Sequence, residues 1–171
     1  MEDKKYIVDL KGLKTDKIEM EYQLEDAYFK AFDNKEVKGG NVQVIVSVNK
    51  ISTDSFVFRF EFEGHVIVIC DLCLDDMSQP VKGEEELKVV FGSYYEDKGD
   101  NLIVIPEDKG VIDLSTFMYE FIILAVPIKH VHPEGQCNDE MIKKLNEYMV
   151  TSCDDENDQQ NDATDPKLDN N

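Results

Sequence analysis

The sequence predicts an α+β fold: an antiparallel β-meander sheet with a long amphipathic helix packed on it and a short C-terminal helix. Two observations carry this. Up to Gly92 apolar and polar residues alternate through most of the chain, the period of a half-buried strand; from Ile112 the spacing changes to that of a helix. In addition there is no internal repeat and no strand–helix–strand alternation, so a doubly wound parallel sheet is not expected.

The elements follow in order. YIVDL (residues 6–10) and IEMEYQL (residues 18–24) read as strands, the second with Ile18, Met20, Tyr22 and Leu24 on one face. EDAYFKAF suits a turn or two of helix through Tyr28, Phe29 and Phe32, and Gly39 and Gly40 break the chain after it. NVQVIVSVNKI alternates through Val42, Val44, Val46 and Val48. SFVFRFEFEGHVIVIC alternates through Phe56, Phe58, Phe60 and Phe62, and Gly64, Val66, Val68 and Cys70 keep the same parity. It therefore reads as one long strand, bent at Gly64, with Cys70 at its end on the core face. ELKVVFG (residues 86–92) returns after Pro80 and Gly83, completing a three-stranded meander whose last connection holds Cys70 and Cys73.

Beyond it, Leu114, Phe117, Met118, Phe121, Ile122 and Ala125 recur at helical spacing, with Asp113 placed as N-cap and Pro127 as the stop. A second helix begins near Asn138, with Met141, Leu145, Tyr148 and Met149 directed to the core and Lys143 and Lys144 to water. One domain over residues 1–150 is expected. Residues 151–171 hold seven acidic residues, one lysine and almost nothing apolar, the composition of an acidic disordered tail.

The formal net charge is −19, from 18 Lys and Arg against 37 Asp and Glu. Nucleic-acid affinity rests largely on cations displacing condensed counterions, so tight binding to free RNA is disfavoured and a basic protein partner is favoured. The longest apolar run, FIILAVPI, falls far short of the roughly 18 residues a membrane span needs, and the N-terminus lacks a signal-peptide core. A cytoplasmic protein is expected, whose four cysteines are thiols or metal ligands rather than a disulfide framework.

Three readings of the CxxC pair remain open: a metal knuckle, a redox pair, or two buried thiols that fill space. The metal reading completes a Cys3His set from Cys70, Cys73, Cys137 and His132, with His130 as substitute ligand and Zn2+ as the candidate ion. Free cysteines are also commonly buried as small hydrophobes. The redox reading ranks below both. It wants CxxC at a helix N-terminus, whereas here the pair lies between antiparallel strands and precedes Asp75 and Asp76, whose charge should raise a thiol's pKa. Cys153, in the acidic tail, reads as an incidental thiol. The chain has no GxSxG elbow and no phosphate loop, and its carboxylate pairs are too common to single one out. His65 reads as a sheet residue, and no catalytic residue or small-molecule substrate is expected.

The strand ending in CDLCL, the returning strand, and then GVIDLSTFMYEFIILAVPIKHVHPEGQC together resemble the bacterial YceD-like family, also called the large ribosomal RNA subunit accumulation proteins. The resemblance follows element order over most of residues 1–149. It implies that Cys70 and Cys73 are the family's cysteine pair, followed by Leu74, and that Asp113 and Leu114 open the helix ending at Pro127. Relatives often carry arginine just before the second cysteine; Leu72 stands there instead, removing a candidate phosphate contact. Some relatives follow the helix with a second cysteine-rich cluster, where this chain has Cys137 with His130 and His132.

The function implied is non-enzymatic: support of large-subunit (23S) ribosomal RNA accumulation by binding a ribosomal protein or a large-subunit precursor particle. Leu72, Leu74, Lys129 and His130 are the candidate contact residues. A zinc-stabilised interaction module unrelated to ribosomes, and a CxxC thiol oxidoreductase, are the alternatives.

Overall fold

The computed structural model describes residues 4–32 and 36–151. Most of the expected acidic tail, Cys153 included, lies outside them. The framework is a six-stranded mixed sheet. β1 (Ile7–Asp9) is not part of it. β2 (Lys17–Leu24), β3 (Val37–Lys50), β4 (Ser55–Ile69) and β5 (Asp76–Gly92) run antiparallel in chain order. β6 (Glu96–Asp97) and β7 (Leu102–Pro106) complete it, with β7 lying parallel to β5 and β6 outermost.

The alternation of the sequence becomes the two faces of this sheet. Val42, Val44, Val46, Val48, Phe56, Phe58 and Phe60 are buried on one face, while Glu19, Glu21, Glu61, Glu63 and Glu84 face water on the other. β4 passes Gly64 with no shift in register against either neighbour, so the expected bend leaves the ladder intact. Glycine is required there by space: a Cβ would run into the Asn41 carbonyl oxygen and Val42.

β5 is longer than the sequence pattern suggests. It starts at Asp76, directly after the cysteine turn, and carries Pro80 and Gly83 inside it. Pro80 pairs opposite His65, which lies exposed on the outer face of β4. The strand hides from a sequence reading because Pro80 and Gly83 read as breakers and its inward positions mix Met77 and Val81 with Gln79, Gly83 and Glu85.

On the inner face, β1 pairs with β8 (Val111–Asp113) in a two-stranded ribbon. That ribbon feeds α2 (Ser115–Leu124), while α1 (Asp26–Ala31) packs beside it. Phe121 meets Phe60 edge-on with ring centroids 5.1 Å apart, Tyr119 stacks on Phe32 at 4.0 Å, and the Tyr28 hydroxyl donates to the Ser115 carbonyl.

The expectation of a long amphipathic helix is corrected here. Residues 111–113 are consumed by β8, and Val126, which precedes Pro127, is disfavoured in a helix, so α2 has 10 residues. Its buried residues Met118, Tyr119, Phe121 and Ile122 share one face, whereas Thr116, Glu120 and Leu124 are exposed along the other. Leu114, not Asp113, is the N-cap residue; Asp113 Oδ1 instead accepts the Ser115 N–H at 2.8 Å.

The C-terminal helix α3 (Asp139–Thr151) has 13 residues and is longer than α2. Asn138 caps it, its Oδ1 accepting the N–H groups of Glu140 and Met141. Met141 and Ile142 are half-buried, while Leu145, Tyr148 and Met149 are exposed, so most of the expected inward stripe does not reach the core.

Candidate metal centre

Cys70 follows the last residue of β4, and the chain must turn back within a few residues to begin β5 at Asp76. The turn closes on its own backbone: Leu74 N–H donates to the Cys70 carbonyl at 3.0 Å, and Cys70 N–H to the Asp75 carbonyl at 2.8 Å. To close it, Leu74 adopts the left-handed region at φ 63°, which an L side chain enters at a cost. Cys70 and Cys73 both point inward and are buried.

The segment after α2 is fastened to this turn. Asp71 N–H donates to the His130 carbonyl at 3.0 Å, His130 N–H donates to Asp71 Oδ2 at 2.8 Å, and Asn138 Nδ2 donates to Asp75 Oδ2 at 3.1 Å. Asp71, Asp75 and Asn138 went unread as site residues. Asx chemistry at turn and cap positions is a signal for such local bonds, but nothing in the sequence shows which distant segment they join.

These bonds bring Cys137 and His132 over the cysteine pair. The ligand atoms of Cys70, Cys73, His132 and Cys137 all lie within 4.8 Å of one another. Cys70 Sγ is 3.9 Å from Cys137 Sγ, and His132 Nδ1 is 3.3 Å from Cys73 Sγ and 3.9 Å from Cys137 Sγ. A tetrahedron with metal–sulfur bonds of about 2.3 Å has edges of about 3.8 Å, and these three separations lie within about half an ångström of that. His130 is outside this group; its ring Nδ1 lies 3.0 Å from the Pro127 carbonyl oxygen, and its Nε2 3.8 Å from Asp71 Oδ1.

The electrostatics suit a thiolate ligand. Burial alone would push the Cys70 thiol up, but N–H groups of Cys73, His132 and Leu72 and the Cys73 side chain outweigh it and bring it down to about 6. The expectation that Asp75 and Asp76 raise this thiol is therefore corrected: Asp75 is engaged by Asn138 and Asp76 by Lys38. Cys137 moves the other way, to about 11, through burial and then the neighbouring Cys70 and Cys73 sulfurs. Sulfurs that oppose one another's ionisation in this way are relieved by a shared cation.

A family model described as large ribosomal RNA subunit accumulation protein YceD matches residues 58–170. The chain belongs to the YceD family. The match takes in most of β4, the whole cysteine turn, α2 and α3, and leaves out β1, β2 and β3. No curated protein and no solved structure matches the chain.

In this YceD-family protein the candidate contact residues surround the corner. Leu72 is 41% and Leu74 61% exposed, Lys129 is exposed, and His130 is half-buried. Leu74 is thus an apolar side chain held in water on a backbone that glycine would suit better. Leu74→Gly is expected to leave the fold no less stable and to raise unfolding free energy by about 0.5 kcal/mol, the relief of the left-handed strain exceeding the added freedom of the unfolded chain. Urea titration measures this directly; a loss above about 1 kcal/mol would show that the Leu74 side chain is a packing element.

Proposed function

We propose that the protein is a cytoplasmic, non-enzymatic factor in large-subunit ribosome biogenesis. It supports accumulation of 23S ribosomal RNA by binding a ribosomal protein or a large-subunit precursor particle. Membership of the family named for that accumulation supports the biological setting. The observation that carries the binding mode is the corner itself, where two segments distant in sequence are bonded into one rigid surface edged by exposed Leu72 and Leu74. Leu124 and Ile128, both exposed on the post-helix side, extend the apolar character of this surface.

In this reading Zn2+ is held by Cys70, Cys73, His132 and Cys137 and serves structure. A filled four-ligand set leaves no position for water or substrate, which separates a structural site from a catalytic one. No helix among the described residues is long and apolar enough to cross a membrane. The strongly acidic composition favours a basic protein surface over naked RNA.

One observation favours the oxidoreductase alternative, namely the lowered Cys70 thiol. A low pKa serves a metal ligand equally, however. Cys70 is fully buried directly after an antiparallel strand, which supports the metal-ligand reading over attack on an external disulfide.

Deleting the gene and measuring precursor and mature large-subunit ribosomal RNA tests the proposal. Mature 23S RNA is expected to fall relative to 16S RNA and to recover with the intact protein but incompletely with Leu74→Gly. An unchanged RNA ratio after deletion would overturn the reading.

A further inference from the structure

The sheet is left unfinished along one strand. β5 has 17 residues, paired on one side with β4 from Asp76 to Val90, but β7 covers its other side only from Lys88 to Gly92. Lys88 N–H donates to the Asn101 carbonyl, away from β4. Amides along a strand alternate in direction, so the N–H groups of Lys82, Glu84 and Glu86 point the same way, and no described strand accepts them. Pro80 agrees with this parity. Its missing N–H falls on the open side, and the β4 ladder passes it with register unchanged.

The open stretch is strongly acidic. Glu84, Glu85 and Glu86 lie on β5, Glu61 stands directly opposite Glu84, and Glu63 opposite Lys82. Arg59 answers Glu84 and Glu86, and Lys82 answers Glu63. Glu61 and Glu85 have no cation within ion-pair distance among the described residues. Charges on an edge deter pairing with a like strand, and charges of one sign deter it selectively. A second copy of this chain, at net charge −19, is repelled by this edge; a cationic strand is attracted.

We propose that the β5 edge between Pro80 and Lys88 takes an extended lysine- or arginine-rich segment of a partner protein as an added antiparallel or parallel strand. Main-chain bonds to the outward amides of Lys82, Glu84 and Glu86 would give the affinity. The partner's outward side chains would fall beside Glu84 and Glu86, which gives the preference for positive charge. This rests on the binding reading above and adds a second contact surface to it.

The test uses the full-length protein and a short fluorescent peptide of alternating lysine and threonine, with a glutamate–threonine peptide as control. Glu84→Pro removes one outward donor without touching the β4 ladder, as Pro80 already does. Expected are binding of the lysine peptide alone, weakening by about tenfold or more in Glu84→Pro and clearly less in Glu84→Gln, which loses the charge but keeps the amide, and slowed amide exchange at Lys82, Glu84 and Glu86 in the intact protein. The exchange measurement stands even if Glu84→Pro folds poorly. Absent binding, equal binding by a folded Glu84→Pro, or protection confined to other amides would overturn the proposal. So would a dimer in sedimentation that Glu84→Pro dissolves, since it would assign the edge to a second copy. These outcomes are independent of the ribosomal RNA ratio, so this proposal and the proposed function can fail separately.

Discussion

Cys70→Ser is expected to strip zinc from the purified protein and to lower its melting temperature by about 10 °C. Serine keeps the shape of the side chain but presents a neutral hydroxyl where the site offers a lowered thiol among N–H donors. An ion that binds only the folded state adds about 4 kcal/mol when present at a thousand times its dissociation constant. For a domain of this size each kcal/mol is worth about 2–4 °C. Metal analysis should find one zinc per wild-type chain and little in the variant. The decisive comparison is with a chelator, which should lower the wild-type melting temperature and leave Cys70→Ser unmoved, separating loss of the ion from the cost of burying a hydroxyl. Wild-type protein that holds no metal and ignores the chelator would reduce the cluster to packed thiols.

Phe60→Ala should cost about 4 kcal/mol, a large share of the 5–15 kcal/mol that a whole domain commands. Phe60 is fully buried in the middle of β4, stacked near Phe58 and edge-on to Phe121 of α2. The cavity would open where the helix rests on the sheet, and α2 leads into the segment carrying His132 and Cys137. Urea unfolding should therefore register the loss together with weaker zinc retention below the transition. A drop in stability with unaltered zinc affinity would mean that the corner holds itself without help from α2.

What could be read in advance divides along physical lines. The phenylalanine and valine alternation made β3 and β4 legible, because bulky inward side chains at period two have few other uses. β7 is not legible although LIVIP is apolar, since nothing local tells a parallel pairing to β5 from an antiparallel one. The early half of β5 is masked by Pro80 and Gly83, which read as breakers between Met77, Val81 and Leu87, and α2 reads too long because its apolar residues run past the backbone that can remain helical. The four clustered side chains are legible from spacing and chemistry. Their meeting depends on Asp71, Asp75 and Asn138, whose partners lie about 60 residues away in the chain and leave no periodic trace.

That distance has a bearing on how the molecule matures. Cys70 and Cys137 are separated by 67 positions, and between them lie β5, β6, β7, β8 and α2. Closing so wide a loop costs entropy that condensation of the intervening elements offsets, so the four-donor cage is favoured once they have formed. A newly synthesised chain would therefore complete its seal late, after most of the sheet and α2 are in place.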